Sequence, residues 1–374
     1  MPPRSASDAI HPAIEHTKSQ VFRRFRFGQW VRLAFVGALA GEMSSGGCNG
    51  GNISVPTGNG GSSGHGTSQA LLGTLPPGIA EHPVMVAASL AIVLLIGFGL
   101  IVLFTYINSV MRFILFDSVI ARECHIREGW TRRKAIGLRF FWWQLAFSLV
   151  SVAGVVVLLG IPVLLVWQLG WFKFPREHIL GLVLAGLAFF LLFLVIVAVI
   201  AVIRVMTKDF VVPQMAIENI GAMEGWRRLL TRVQREKVGY AAYIGMKLVL
   251  AIAAALIFGI ITFVVALLIL IPVGGFGLFA VLGGKAAGLT WNFFTIALAV
   301  AAGAVVLAIL VIIISLIYVP AMVFFPAYSI YFFAPRYPPL ADLLWPSPPP
   351  PPPPPIPTNP FPSGAGPLPA EPAT

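Results

Sequence analysis

Residues 179–226 read ILGLVLAGLAFFLLFLVIVAVIAVIRVMTKDFVVPQMAIENIGAMEGW, and this stretch decides the fold. No charged residue occurs between Ile179 and Ile203. About 20 apolar residues in helical conformation cross a hydrocarbon core of about 30 Å, so the run predicts a transmembrane helix. It stops at Val211-Val212-Pro213-Gln214-Met215, and a basic elbow opens at Glu224-Gly225-Trp226. An earlier run begins at Val84, stops at Leu115-Phe116-Asp117-Ser118-Val119 and is followed by Glu128-Gly129-Trp130, 96 residues before its counterpart. A third begins near Phe293 and stops at Phe324-Phe325-Pro326-Ala327-Tyr328. That copy carries no Glu-Gly-Trp and gives way to Pro335-Arg336-Tyr337-Pro338-Pro339.

Composition extends this reading to the whole chain. Of 374 residues, 58% are hydrophobic and 10% charged, where soluble domains carry about 25% charged residues. Mean hydropathy is +0.89. The expected fold is an all-α polytopic transmembrane helix bundle of about six spans, with parallel internal repeats and cytoplasmic amphipathic elbows. Five spans are predicted at 84–111, 139–168, 179–205, 240–272 and 294–330, with Pro162, Pro213, Pro272, Pro320 and Pro326 as kinks or ends.

The N-terminal region divides by composition. Residues 1–27 are polar and basic, a cytoplasmic segment. Residues 28–41 are apolar with Arg32 inside, read as a short first span; an interfacial helix and a signal peptide cleaved after Ala38-Leu39-Ala40 are the alternatives. Residues 42–83 contain no Lys or Arg and are rich in Gly and Ser, which predicts a flexible external loop. The bundle occupies 84–335. A disordered cytoplasmic tail fills 336–374, with eight consecutive prolines at 348–355 in a polyproline II conformation. That tail is either a solvated spacer or a docking site for a protein partner.

Basic residues set the orientation. The net charge is +11, which in a membrane chain reflects topology better than nucleic-acid binding, and no nucleic-acid motif accompanies it. Six Lys and Arg precede the Gly-rich segment, seven fall in 112–139 and seven in 204–238, whereas the alternate segments hold none, two or one. The rich side is cytoplasmic by the positive-inside rule, with both termini inside. Cys48 and Cys124 then fall on opposite sides, which excludes a disulfide within one chain.

Chemistry is sparse. The six histidines are scattered, and no HExxH, GxSxG, phosphate loop or metal-ligand spacing occurs. The sequence therefore predicts no catalytic, cofactor-binding or metal-binding residue and no enzyme. The elbows are the best candidates for contact with lipid headgroups or a partner: Trp130, Arg132, Arg133 and Lys134 in the first, and Trp226, Arg227, Arg228, Arg232 and Arg235 in the second. In the second, Trp226, Leu229, Leu230 and Val233 share one helical face. Packing of that face on neighbouring helices accounts for the pattern equally well. Lys247 shares a face with Tyr240 and Tyr243 and reads as an interfacial anchor whose ammonium snorkels to headgroups. Asp117, facing abundant Arg, reads as a structural ion pair. The Gly-rich stretch 272–284 reads as an external loop or a segment dipping back into the bilayer.

The opening Ile14-Glu15-His16-Thr17, Val21-Phe22-Arg23, Gln29-Trp30 and Ala34-Phe35, with the Phe-Asp and Val-Val-Pro stops and the Glu-Gly-Trp elbows, resembles a group of bacterial multi-pass membrane proteins. These are similar to the membrane domain attached to glycerophosphoryl diester phosphodiesterases, over roughly residues 12–335. The resemblance implies a helical membrane fold in a bacterial inner membrane. The chain carries no catalytic phosphodiesterase domain, so no catalytic residue is carried over. Two functions remain: a non-enzymatic scaffold that contacts lipid or a partner, and a transporter or channel with a small-molecule cavity between parallel repeats.

Overall fold

A computed structural model describes residues 5–23, 26–42, 83–168, 170–171, 178–286 and 292–346. Of the Gly- and Ser-rich loop read at 42–83, residues 43–82 lie outside the described residues, Cys48 among them, as does the proline run at 348–355. In chain order the helices are α1 (Ile10–Thr17), α2 (Phe27–Leu39), α3 (Pro83–Ala121), α4 (Ile126–Gln168), α5 (Ile179–Met206), α6 (Val212–Glu218), α7 (Ala222–Arg235), α8 (Lys237–Ala286), α9 (Phe293–Phe333) and α10 (Pro338–Leu344). A π-helical segment, Lys18–Arg23, follows α1, and a second, Thr207–Val211, joins α5 to α6. No strand occurs among the described residues.

Five stretches are long and apolar enough to cross a membrane: Leu90–Ala121, Ile126–Gln168, Ile179–Glu218, Lys237–Gly284 and Phe294–Arg336. This is a multi-pass membrane protein by length and composition. In each of these stretches the buried residues gather toward one end, with Val166 as an exception, and the rest is largely exposed. Leu95 and Leu180 are 74% exposed and Leu268 69%, on helix segments that touch little else. At the opposite end, Phe113, Phe210, Tyr243, Tyr328 and Phe332 have no measurable exposure and belong to one continuous core. That end carries the stops and elbows and is called the basic end below.

Local chemistry explains how the chain turns there. Arg122 (φ 58°) and Asn219 (φ 56°) close α3 and α6 in the left-handed conformation, which frees the chain to reverse. Asn tolerates that region through its short polar side chain. The next helix then approaches closely. A Cβ on Gly129 would lie 3.2 Å from Ile114 Cγ1, and one on Gly225 would lie 2.8 Å from Val211 Cγ1.

Residues 28–41, read as a short span or an interfacial helix, form α2, with 13 residues and a length of about 20 Å at 1.5 Å per residue. It is not among the five long apolar stretches. It packs on α3 and α9, where Asn108 Nδ2 donates to the Leu39 carbonyl at 2.9 Å and Trp30 Nε1 to the Leu316 carbonyl at 3.0 Å. The Gly-rich stretch 272–284 is neither loop nor hairpin, because α8 runs through Pro272 to Ala286. In apolar surroundings a helix satisfies the backbone that a loop would leave unpaired. The disordered tail does not begin at 336: α10 follows, with Tyr337 and Leu340 buried. Prolines are tolerated in a first helical turn, so Pro338 and Pro339 start this helix instead of preventing it. Pro162, Pro272, Pro320 and Pro326 likewise lie inside helices without ending them.

Candidate functional site

The elbow residues divide by what their heads touch. In the first elbow, Trp130 is half-buried and meets Tyr106 edge-on, with ring centroids 6.0 Å apart. Arg133 forks onto Asp117, its Nε and one terminal nitrogen each 2.7 Å from a carboxylate oxygen, and its other terminal nitrogen donates to the Ala216 carbonyl at 2.6 Å. A bidentate guanidinium–carboxylate pair fixes both partners in one plane, and here it ties the ends of α3 and α6 to α4. Arg132 is exposed and pairs with Glu128 at 3.2 Å, and Lys134 is exposed.

In the second elbow, Arg228 Nε donates to Glu224 at 2.9 Å, and a terminal nitrogen pairs with Glu218. Arg232 donates to Gln214 Oε1 at 3.0 Å and lies 4.9 Å above the Tyr337 ring. Arg227 is 79% exposed and pairs with Glu224 at 2.6 Å, while Arg235 points to the exterior. The apolar face of α7 packs on protein: Leu229 is fully buried, Trp226 and Val233 are half-buried, and only Leu230 stays half exposed. Amphipathicity announces that a helix has an apolar partner without naming it. Arg133, Arg228 and Arg232 therefore serve inside the protein, and Arg132, Lys134, Arg227 and Arg235 remain as the outward-facing cations.

Lys247 departs from its expected role. It is 7% exposed, on a face shared with the buried Tyr240 and Tyr243, and it pairs with Asp209 in the π-helical segment. Tyr243 donates to the same carboxylate at 2.9 Å. A second buried pair joins Lys208 to Glu42, just beyond α2. Arg112 donates to the Ala40 carbonyl at 3.1 Å and sits 5.8 Å from the Phe140 ring centre. These groups surround a cavity of about 30 Å³, lined also by Pro213, Pro326 and Ser329. Buried charges this close need partners, because desolvation of an unpaired ion costs several kcal/mol. Sequence reading singled out Lys247 without its partner Asp209. The usable signal was that adjacent Lys208-Asp209 interrupts an otherwise apolar run.

Outside the spanning segments, protonation follows local contacts. Hydrogen bonds from Arg336, at 2.8 and 2.6 Å, hold the Glu236 carboxyl below its ordinary range. The Arg228 hydrogen bond does the same for Glu224. Burial pushes His16 below its usual value, although its Nε2 donates to the Val119 carbonyl at 2.9 Å. Neutral His16 thus pins α1 across the end of α3.

No curated protein matches the chain, and no solved structure does. A family model matches residues 4–343, nearly all of the described region, and the chain belongs to that family, the Family of unknown function (DUF7544).

Proposed function

We propose that this chain is a non-enzymatic membrane scaffold whose basic end faces the cytoplasm of a bacterial cell and contacts anionic lipid headgroups or a partner. The observation that carries this reading is the packing of the basic end. Most of its buried charged groups are paired internally, and the cavity among them, about 30 Å³, has room for a water molecule and no larger cargo. The outward cations Arg132, Lys134, Arg227 and Arg235 supply the contact surface. Each basic residue near an anionic membrane surface contributes about 1 kcal/mol.

Six crossings belong to the same proposal. α1 is fastened to the basic end, where Tyr328 also donates to the Ala6 carbonyl at 3.1 Å, and α10 lies at that end too. Both described ends lie at one side, which calls for an even number of crossings, and with five long apolar stretches described the count we propose is six. We also read the two elbows as copies of one unit. Arg122 and Asn219 are 97 residues apart and both left-handed, whereas the Glu-Gly-Trp motifs are 96 apart. The link after α3, residues 122–125, is one residue longer than 219–221, which accounts for the difference. Kinship with the glycerophosphoryl diester phosphodiesterase membrane domain, and a partner for the proline-rich tail, rest on the quoted motifs alone.

The test replaces Arg132, Lys134, Arg227 and Arg235 together by Gln and measures partition between phosphatidylglycerol and phosphatidylcholine nanodiscs. Preference for the anionic lipid should fall at least tenfold. Retention of full preference by the fourfold variant would sink the lipid reading and leave the protein partner. A transport reading draws on the two buried ion pairs beside a π-helical segment, features common at functional sites in membranes. Substrate-dependent flux in proteoliposomes would favour it.

A further inference from the structure

Arg32 interrupts the apolar sequence of α2, and nothing in the packing of the basic end uses it fully. One face of α2 is seated on the bundle through Leu33, Ala34, Val36 and Gly37, where a Cβ on Gly37 would collide with Met322 at 2.4 Å. The opposite face exposes Phe27 (64%), Val31 and Phe35 (53%), four residues apart and so aligned in one stripe. Arg32 stands beside that stripe. Among the described residues its one hydrogen bond, to the Cys124 carbonyl, is long at 3.5 Å.

Next to Arg32 lies an open surface groove of about 590 Å³, lined by Arg32, His125, Ile126, Arg127, Glu128 and Thr131. The side chains of His125 and Arg127 have no hydrogen-bond or ion-pair partner among the described residues. Glu128 is held by Arg132 at 3.2 Å, so its charge is already answered. Two indole rings stand in neighbouring turns, Trp30 on α2 and Trp130 on α4. Trp30 reaches Leu316, next to buried Ser315 on α9, and Trp130 meets Tyr106, one turn before buried Val110 on α3.

We propose that this groove seats the phosphate of an anionic glycerophospholipid, whose acyl chains lie along Phe27, Val31 and Phe35. The inference rests on the reading of the chain as a multi-pass membrane protein, but uses residues separate from the outward cations of the elbows. Two guanidinium forks from different helices match a phosphate's oxygens in a way that scattered ammonium groups do not. A free phosphate would occupy the forks yet leave the apolar stripe uncovered, which is why the occupant is a lipid.

The test is native mass spectrometry of the full chain in detergent, titrated with phosphatidylglycerol. Loss of one arginine near the headgroup should weaken the first bound lipid about fivefold. Arg32→Gln with Arg127→Gln together should weaken it about twentyfold or more, while Arg227→Gln with Arg235→Gln leaves it unchanged. Arg127 is exposed, so the Arg127→Gln variant alone keeps the test open if Arg32→Gln misfolds. Phe35→Ser should weaken the lipid, and glycerol 3-phosphate should fail to compete. Unaltered binding in the double variant overturns the site, and effective competition by inorganic phosphate or glycerol 3-phosphate overturns the lipid as its occupant. Failure here, with loss of lipid preference in the fourfold elbow variant, leaves the scaffold reading standing.

Discussion

A buried lysine is held in place by its partner, and Lys247 shows how strongly. Its ammonium meets Asp209, which also accepts from Tyr243, and all three side chains are almost wholly inside the protein. Replacement of Lys247 by Met removes one charge and leaves the other buried without compensation. The expected cost is about 3–5 kcal/mol of stability, read by chemical or thermal unfolding in detergent. Adding Asp209→Asn removes the stranded charge and should restore at least half of the loss, as a double-mutant cycle would register. A Lys247→Met variant as stable as the wild type would mean that the pair carries no structural load. The sequence displayed the lysine among tyrosines but not the face it turns to. That face is set by Asp209, 38 positions earlier, whose side chain is re-aimed by the extra residue of a π-helical segment. No local pattern encodes such a turn.

Among the elements, the elbows were legible as motifs and opaque as structures. Glu-Gly-Trp repeats visibly, and its Trp and Arg suggested a headgroup contact. The glycine has a different use: it lets each new helix settle against a branched side chain on the helix just ended. Added to Gly225, a methyl group would sit 2.8 Å from Val211 and force a shift; at Gly129 the corresponding approach to Ile114 is 3.2 Å. Overpacking costs about 1–3 kcal/mol, against a gain of about 1 kcal/mol in helix propensity for Gly→Ala. Gly225→Ala should therefore lose up to about 2 kcal/mol, with Gly129→Ala close to neutral. Equal effects at the two sites, measured by unfolding midpoints, would contradict this ordering. The apolar face of α7 taught the same lesson, since α6 and the π-helical segment cover what hydrophobic periodicity had left for the bilayer.

At the scale of the whole molecule, composition carried more than any motif. Long uncharged runs announced five membrane-length helices because about 20 apolar residues are costly anywhere except in lipid. What composition could not show was the division of each helix into a largely exposed stretch and a packed end. That division concentrates the core, the ion pairs and both described ends of the chain at one side, where most of the Lys and Arg also lie. The positive-inside rule predicts that this side is cytoplasmic, a proposal that engineered cysteines test better than the native ones. Cys124 is only 2% exposed, and burial raises its thiol pKa, so it reacts slowly on either side. Thr231 is exposed on α7 at the basic end, and Ile179 is 59% exposed at the far end of α5. In a chain carrying Cys48→Ser, Thr231→Cys should react with an impermeant maleimide only after permeabilisation, and Ile179→Cys should react in intact cells. The opposite pattern would turn the molecule over. The outward cations and the Arg32 groove would then face the outer leaflet, where the charge bias that orients the helices would have no explanation.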